Sequence, residues 1–170
     1  MKKANGFTLV ELMVTLAIAA IILTLGVPSF RDLIQNNRIT TQSNILVGFL
    51  QNARLEAVKR NRTVHVCIDE SPASNSCDGS NWQDGFKLWI DLNNNSAVDS
   101  NEVIRVHQGD GGSIDISEAA SQSQISFDGT GAATTTATFD VCDTSRSGEN
   151  GNQIDISNTG RVSSNAITCS

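Results

Sequence analysis

The sequence contains no tyrosine, and its other aromatic residues are few, with six phenylalanines and two tryptophans among 170 residues. After Asn61 the chain is instead rich in Asn, Ser, Thr, Asp and Gly. This composition favours turns and polar-faced strands over long helices. Burial of apolar surface will therefore stabilise the folded chain only modestly, and we expect covalent cross-links to supplement it.

The sequence also lacks the short motifs that mark common catalytic sites. It has no nucleophile elbow, no phosphate-binding loop and no HExxH motif of metalloproteases. Both histidines, His65 and His107, alternate with apolar neighbours as strand residues do, which favours structural roles over that of a catalytic base. We therefore predict that the protein is not an enzyme and needs no cofactor.

Positive charge is in short supply as well, because 12 Lys and Arg stand against 18 Asp and Glu and leave a formal net charge of −6. Such a total does not suit broad binding to nucleic acid or anionic lipid, although it allows a local basic patch. One basic cluster lies around Asn61, where cations stabilise the end of a helix. The alternative role is contact with a neighbouring subunit or a polyanion. The cluster comprises Arg54, Lys59, Arg60 and Arg62.

The four cysteines all lie in the polar part of the chain. No CxxC pair is present, so their spacing is not that of a metal site. An even number of cysteines in a small exported domain indicates two disulfides, and buried free thiols are the alternative. We favour local pairing because each bond then closes a short loop, which stabilises by about 3 kcal/mol. The predicted pairs are Cys67–Cys77 and Cys142–Cys169.

The N-terminus consists of a short basic segment followed by a long apolar one. Residues 1–6 carry Lys2 and Lys3, and residues 7–27 carry one charge, Glu11. A helix of that length spans about 30 Å, the thickness of a bilayer core. The lysines place this end in the cytoplasm by the positive-inside rule. We therefore predict a transmembrane helix over 7–27.

Glu11 separates three interpretations of this segment. A secretory signal peptide would have a shorter apolar stretch before its cleavage site, whereas this run continues past the small residues at 17–19. A simple membrane anchor gives no reason for a carboxylate that costs about 2.5–3.5 kcal/mol at mid-membrane. Cleavage after Gly6 supplies a reason, because Phe7 then becomes a free amino terminus. The amine of one subunit can pair with Glu11 of its neighbour.

The run Gly6-Phe7-Thr-Leu-Val-Glu11, followed by unbroken apolar sequence, resembles the leader and methylation motif of type IV prepilins. This resemblance implies membership of the pilin and pseudopilin superfamily. It also implies cleavage between Gly6 and Phe7 and N-methylation of Phe7, both by a dedicated prepilin peptidase. Residues 1–6 are then the leader.

Beyond the apolar segment the helical pattern continues. Apolar residues recur at three- and four-residue steps from Phe30 to Ala57, which predicts an amphipathic helix over 28–61 with Asn61 at its C-cap. The period then changes to two, which predicts a disulfide-bonded β domain over 62–170. Its predicted strands are 63–68, 85–90, 102–107, 125–127, 134–142, 154–157 and 161–163.

The second half of the chain resembles the GspH/FimT family of minor pilins and pseudopilins, chiefly in the segments 82–91, 102–105, 139–142 and 154–162. The resemblance implies an α+β fold in which a long N-terminal helix, half hydrophobic and transmembrane and half amphipathic, packs on a small antiparallel β domain. It implies a single-pass precursor in the bacterial inner membrane with a periplasmic β domain. The subunit then enters a pilus or pseudopilus filament.

The placement of the cysteines looks closer to the FimT/FimU minor pilins of type IV pili. The resemblance thus implies a low-abundance subunit of the complex that initiates or caps a pilus, with other minor and major pilins as partners. The first alternative is the minor pseudopilin H of type II secretion. The second is a pilus-associated DNA receptor for natural transformation.

The residues that could contact DNA are Arg161 and, as a second contact, Arg146. Some FimT-type members carry Gly-Arg-x-Arg in this region, whereas Ser163 stands at the second arginine position here. Phosphate binding draws its affinity from several cations acting together. Four carboxylates close in sequence also offer Arg161 a purely structural partner, namely Asp140, Asp143, Glu149 and Asp155.

One polar stretch has the spacing of a Ca²⁺-binding EF-hand loop. Oxygen-bearing side chains occupy positions 1, 3, 5, 9 and 12 of the stretch. Ser96 stands where such a loop requires glycine, and the flanking segments are predicted strands rather than helices. Asx-rich turns also use these residues for their own backbone, so we favour a turn over a metal site. The residues are Asp91, Asn93, Asn95, Asp99 and Glu102.

Overall fold

The structure, a computed structural model, describes residues 7–71, 76–109, 111–145, 148 and 150–169, without the side chains of residues 25–29. The chain divides into two units, Met1–Asn37 and Arg38–Ser170. One helix, α1, runs from Leu9 to Arg60 and belongs to both.

The first unit consists of the N-terminal part of α1. The large apolar side chains that the structure describes in this unit are exposed, including Phe30, Leu33 and Ile34, which are 69%, 55% and 51% exposed. Among the residues that the structure describes, no helix combines the length and apolar character required to cross a membrane. The buried stripe of the helix starts at Ile39, so the apolar residues of the predicted amphipathic face at 30, 33 and 34 lie outside the core.

The second unit is built from the C-terminal part of α1 and two four-stranded antiparallel sheets. The first sheet has the strand order β3-β2-β1-β5, and the second has β4-β6-β7-β8. A short 3₁₀ helix at Trp82–Asp84 precedes β2. The strands are β1 Val64–Ile68, β2 Gly85–Ile90, β3 Val103–Gln108, β4 Ile114–Glu118, β5 Gln124–Phe127, β6 Ala137–Asp143, β7 Asn150–Ile156 and β8 Val162–Thr168.

A single hydrophobic core joins α1 to both sheets. The helix contributes residues at three- and four-residue spacing, and the strands contribute alternate residues, as the geometries of the two elements require. Phe49 of α1 meets Phe86 of β2 edge to face, with ring centroids 4.8 Å apart. Trp82 meets Phe139 of β6 in the same way at 5.0 Å, and its ring centroid lies 6.2 Å from that of Phe86, so a series of aromatic contacts connects the helix to both sheets. The α+β architecture predicted from the sequence is confirmed.

The end of α1 is fixed by a left-handed residue. Asn61 has φ 49°, its N–H donates to the carbonyl oxygen of Val58 at 3.2 Å, and the N–H of Arg62 donates to that of Ala57, also at 3.2 Å. This pattern is a Schellman motif, with asparagine in the position usually taken by glycine. It satisfies carbonyl groups of the last turn and directs the chain into β1.

Candidate assembly site

The first turn of α1 presents Glu11 at an exposed position. Thr8 caps the helix, because its Oγ1 accepts the N–H of Glu11 at 3.2 Å and its carbonyl oxygen accepts the N–H of Leu12 at 3.1 Å. The cap fixes the conformation just after Phe7, which is 75% exposed. The Glu11 carboxylate is thus accessible to a group from outside the chain. Gly6, the other predicted processing residue, lies outside the described residues.

Gly160 and Arg161 belong to the tight turn between β7 and β8. The N–H of Gly160 donates to Ser157 O at 2.8 Å, and the N–H of Ser157 donates to Arg161 O at 3.0 Å. Gly160 has φ +72°, as expected for the last residue of a three-residue hairpin loop. A Cβ at Gly160 would also clash with the carbonyl oxygen of Gly131. Both the backbone conformation and the close approach therefore require glycine here.

Arg54 of α1 holds this turn in place. Its Nε donates to Gly131 O at 2.9 Å, and its Nη2 donates to Thr159 O at 3.2 Å. The guanidinium thus ties the helix to two loops that are far away in sequence. The sequence predicts helix capping or contact with another molecule for Arg54, and no local pattern indicates a contact of this range within the domain.

The Arg161 side chain is exposed, and within the described ranges no residue pairs with its guanidinium. Of the four carboxylates that the sequence offers as partners, Glu149 lies outside the described residues, and no ion pair joins Arg161 to Asp140 or Asp155. Arg146, the second predicted DNA contact, lies outside the described residues. At this turn the structure brings together Arg161 and Arg54, and Arg54 is already engaged with carbonyl oxygens.

The other basic residues at the helix end have partners within the domain. Arg60 Nε and Lys59 Nζ both contact the Glu56 carboxylate, at 2.7 and 3.3 Å. The Arg60 hydrogen bond is the main reason why the pKa of Glu56 lies below its ordinary value, against a smaller opposing effect of desolvation. Arg62 Nη1 donates to the carbonyl oxygens of Asp91 and Leu92 at 3.3 and 3.4 Å. These contacts support the structural interpretation of the cluster.

The loop from Asp91 to Glu102 is organised by hydrogen bonds to its own backbone. The Asp91 carboxylate accepts the N–H groups of Asn94, Asn95 and Ser96 at 2.6, 3.2 and 2.9 Å. Desolvation raises the pKa of Asp91, but these backbone donors outweigh it, and the net pKa lies below its ordinary value. Ser96 has φ 58°, so it adopts the left-handed conformation for which glycine would be preferred.

Glu102 closes the same loop from the opposite side. It is 1% exposed, and its carboxylate accepts the N–H of Leu92 at 2.7 Å and that of Asp99 at 3.1 Å. Asn93 and Asn95 donate their side-chain amides to Asp99 Oδ2 at 2.7 and 3.1 Å. The five residues with EF-hand spacing thus all form hydrogen bonds within the turn, as the favoured interpretation of this stretch expects.

Both local disulfides are present. Cys67 of β1 is bonded to Cys77, and Cys142 of β6 is bonded to Cys169 just after β8. The first closes the loop after β1, and the second ties the C-terminal end of the chain to the middle of the second sheet. No free cysteine occurs among the residues described. These are the two pairs that the sequence favours.

The sequence of this chain matches two family models, and its fold is similar to that of solved structures. Residues 1–27 match the prokaryotic N-terminal methylation motif, and residues 42–160 match the family described as type II transport protein GspH. The chain belongs to the GspH family. No curated protein matches it.

Two crystal structures of the type IV minor pilin FimU of Pseudomonas aeruginosa have the same fold as this GspH-family chain. The first is 21% identical with a TM-score of 0.60, and the match covers 76% of this chain and 89% of the FimU chain. The second is 22% identical with a TM-score of 0.57, and the match covers 74% of this chain and 91% of the FimU chain. The resemblance recognised in the sequence is confirmed. Family and fold are those of structural pilins.

Proposed function

We propose that this GspH-family chain is a minor pilin of a type IV pilus, a low-abundance subunit of the complex that initiates or caps the filament. The observation that carries the proposal is the likeness to the minor pilin FimU over most of both chains, combined with the N-terminal methylation motif. The cysteine placement in the sequence supports the same choice.

The exposed apolar part of α1 supports a subunit that is covered by others. Among the side chains that the structure describes, the large apolar ones from Phe7 to Leu23, together with Phe30, Leu33 and Ile34, are about half exposed or more. Exposed apolar patches of this kind mark interaction or membrane surfaces. We infer that the inner membrane covers this surface in the precursor and that neighbouring pilins cover it in the filament. The prepilin peptidase would be the partner that cleaves after Gly6.

The second candidate is the minor pseudopilin H of type II secretion, which the description of the matching family favours. A pseudopilin would use the same helix and the same Glu11. A DNA receptor receives less support, because an exposed Arg161 offers one phosphate contact, whereas affinity grows with the number of neutralised phosphates.

A deletion of the gene in its own organism separates the two candidates. The pilus assignment predicts that surface piliation falls and that secretion of exported enzymes is unchanged, and that the intact gene restores piliation. Lost secretion with normal piliation would overturn the pilus assignment in favour of the pseudopilin. Normal piliation together with normal secretion would contradict both.

A further inference from the structure

The second sheet ends in an edge strand that lacks the usual protection. Natural edge strands avoid pairing with other chains through charged residues, proline, bulges or a covering element. β8 reads Val-Ser-Ser-Asn-Ala-Ile-Thr, with neither charge nor proline. It pairs with β7 in unbroken register from Val162 to Thr168. Its middle residues are exposed.

The other three sheet edges carry such protection. β3 contains Arg105 and pairs with β2 through a register shift between Leu88 and Trp89. β5 is bridged by Ala133, and the N–H of Thr134 donates to Ser126 O at 2.9 Å. The 3₁₀ helix lies against β4. Among the described strands, β8 is therefore the one whose edge stands open.

The direction of the β8 backbone groups follows from the turn before it. Ser157 and Arg161 form a hydrogen-bonded pair, and such pairs alternate with non-hydrogen-bonded pairs along an antiparallel ladder. The groups of residues 163, 165 and 167 therefore face β7. Those of Val162, Ser164, Ala166 and Thr168 face outwards, and no other element in the described part of the chain bonds to them.

An apolar groove opens beside the start of this edge. It has a volume of about 360 Å³ and lies between α1 and the residues from Gly160 to Val162. Leu55 and Val58 line its helical wall and are 61% and 49% exposed. Arg161 stands at the groove with an exposed guanidinium. An incoming segment would thus find backbone partners, an apolar surface and a positive charge together.

We propose that the outer edge of β8 receives an extended segment of a neighbouring pilin subunit, which adds a fifth strand to the second sheet. Main-chain hydrogen bonds supply its affinity, and side chains at alternate positions supply its specificity. An apolar side chain of the segment rests on Leu55 and Val58, and a carboxylate pairs with Arg161. The proposal rests on the proposed function, since it assumes pilin neighbours.

The test compares two proline variants of the full chain in its own organism. Ser164→Pro removes an outward N–H from β8. Gln108→Pro is the matched control, because the N–H of Gly109 donates to Asp84 O and the same alternation turns the N–H of Gln108 away from β2. Both variants leave the ladder bonds of their sheets intact. Intact disulfides in both, measured by non-reducing electrophoresis, verify folding.

We expect Ser164→Pro to lower the amount of the chain in sheared filaments at least about tenfold, which equals 1.4 kcal/mol, while Gln108→Pro stays at the wild-type level. A photo-crosslinker at Asn165 should join the wild-type chain to an extended segment of another pilin. Normal incorporation of Ser164→Pro would overturn the proposal, and so would an equal loss in both variants. Absence of the wild-type chain from filaments would instead contradict the proposed function.

Discussion

Among individual residues, His65 lies in an environment that makes the stability of the fold depend on pH. Its ring stacks on Trp89 with centroids 4.5 Å apart, and Nδ1 lies 2.7 Å from Ser126 Oγ. Burial lowers the pKa of His65, and the charge of Asp91 opposes this effect only in part. The folded state therefore favours the neutral ring. Its stabilising effect is complete above the unfolded pKa and is lost as the pH falls through the folded value.

We predict that the thermal midpoint of the chain in detergent micelles falls between pH 7.5 and pH 5.5, because the unfolded state binds a proton that the folded state resists. The contribution is at most about 1.4 kcal/mol per pH unit. His65→Phe keeps an aromatic ring against Trp89 and should flatten the slope in this window. An unchanged slope in His65→Phe would show that other groups cause the pH dependence.

Lys87 and Asp69 form an ion pair within the protein, with Nζ 3.2 Å from Oδ2 and both side chains fully buried. Removal of one partner leaves an uncompensated buried charge, so Lys87→Met should destabilise by about 3–5 kcal/mol. Replacing both, as Lys87→Met with Asp69→Leu, should recover most of that loss. Urea unfolding of the three proteins measures both effects. Equal stability of the single variant and wild type would mean that the pair is not buried in solution.

At the level of secondary-structure elements, the contact of α1 with the β7–β8 turn depends on one side chain. Arg54→Ala removes two charge-assisted hydrogen bonds to carbonyl oxygens, and we expect a loss of about 2 kcal/mol in the free energy of unfolding. Arg60→Ala is the matched control, because it removes a surface pair with Glu56 worth about 0.3–0.5 kcal/mol. Denaturant titrations should therefore show a clearly larger loss in the free energy of unfolding for Arg54→Ala than for Arg60→Ala. Equal losses would contradict the clamping role of Arg54.

The elements that the sequence predicts well are those whose own residues alternate. β1, β2 and β3 lie within about one residue of the predicted bounds, because apolar and β-branched residues recur there at period two. β4 was missed, since two isoleucines among polar residues after a glycine-rich stretch form too short a pattern.

β7 and β8 are both longer than predicted, because the residues that extend them do not alternate between apolar and polar. Those of β7 are all polar or glycine, and those of β8 place Ala166 and Ile167 side by side. Their length is set by pairing between neighbours, starting from the turn at Gly160, rather than by hydrophobic pattern. The Arg54 contact was unpredictable for a related reason, since it joins residues separated by 77 and 105 positions in sequence. The processing motif and the cysteine pairs, in contrast, are local features, and local sequence is sufficient to recognise them.

For the molecule as a whole, the two units divide the tasks of the proposed subunit. The first unit carries exposed apolar residues with Glu11 near its start, and the second carries the core, the disulfides and the open strand edge.

Glu11→Ala should leave membrane insertion intact, because it removes a charge from the apolar segment. It should reduce incorporation into filaments, because the Phe7 amine of the neighbouring subunit loses its partner. Quantification of the variant in membrane and filament fractions tests both parts, and normal incorporation would count against the pairing.

As a pilin, this chain would be processed after Gly6 and assembled into a filament. Intact mass and N-terminal sequencing of the protein recovered from sheared filaments test this expectation most directly. We expect a mature chain that begins at N-methylated Phe7 and retains both disulfides. A chain that begins at Met1, or one cleaved near Ala20, would contradict it.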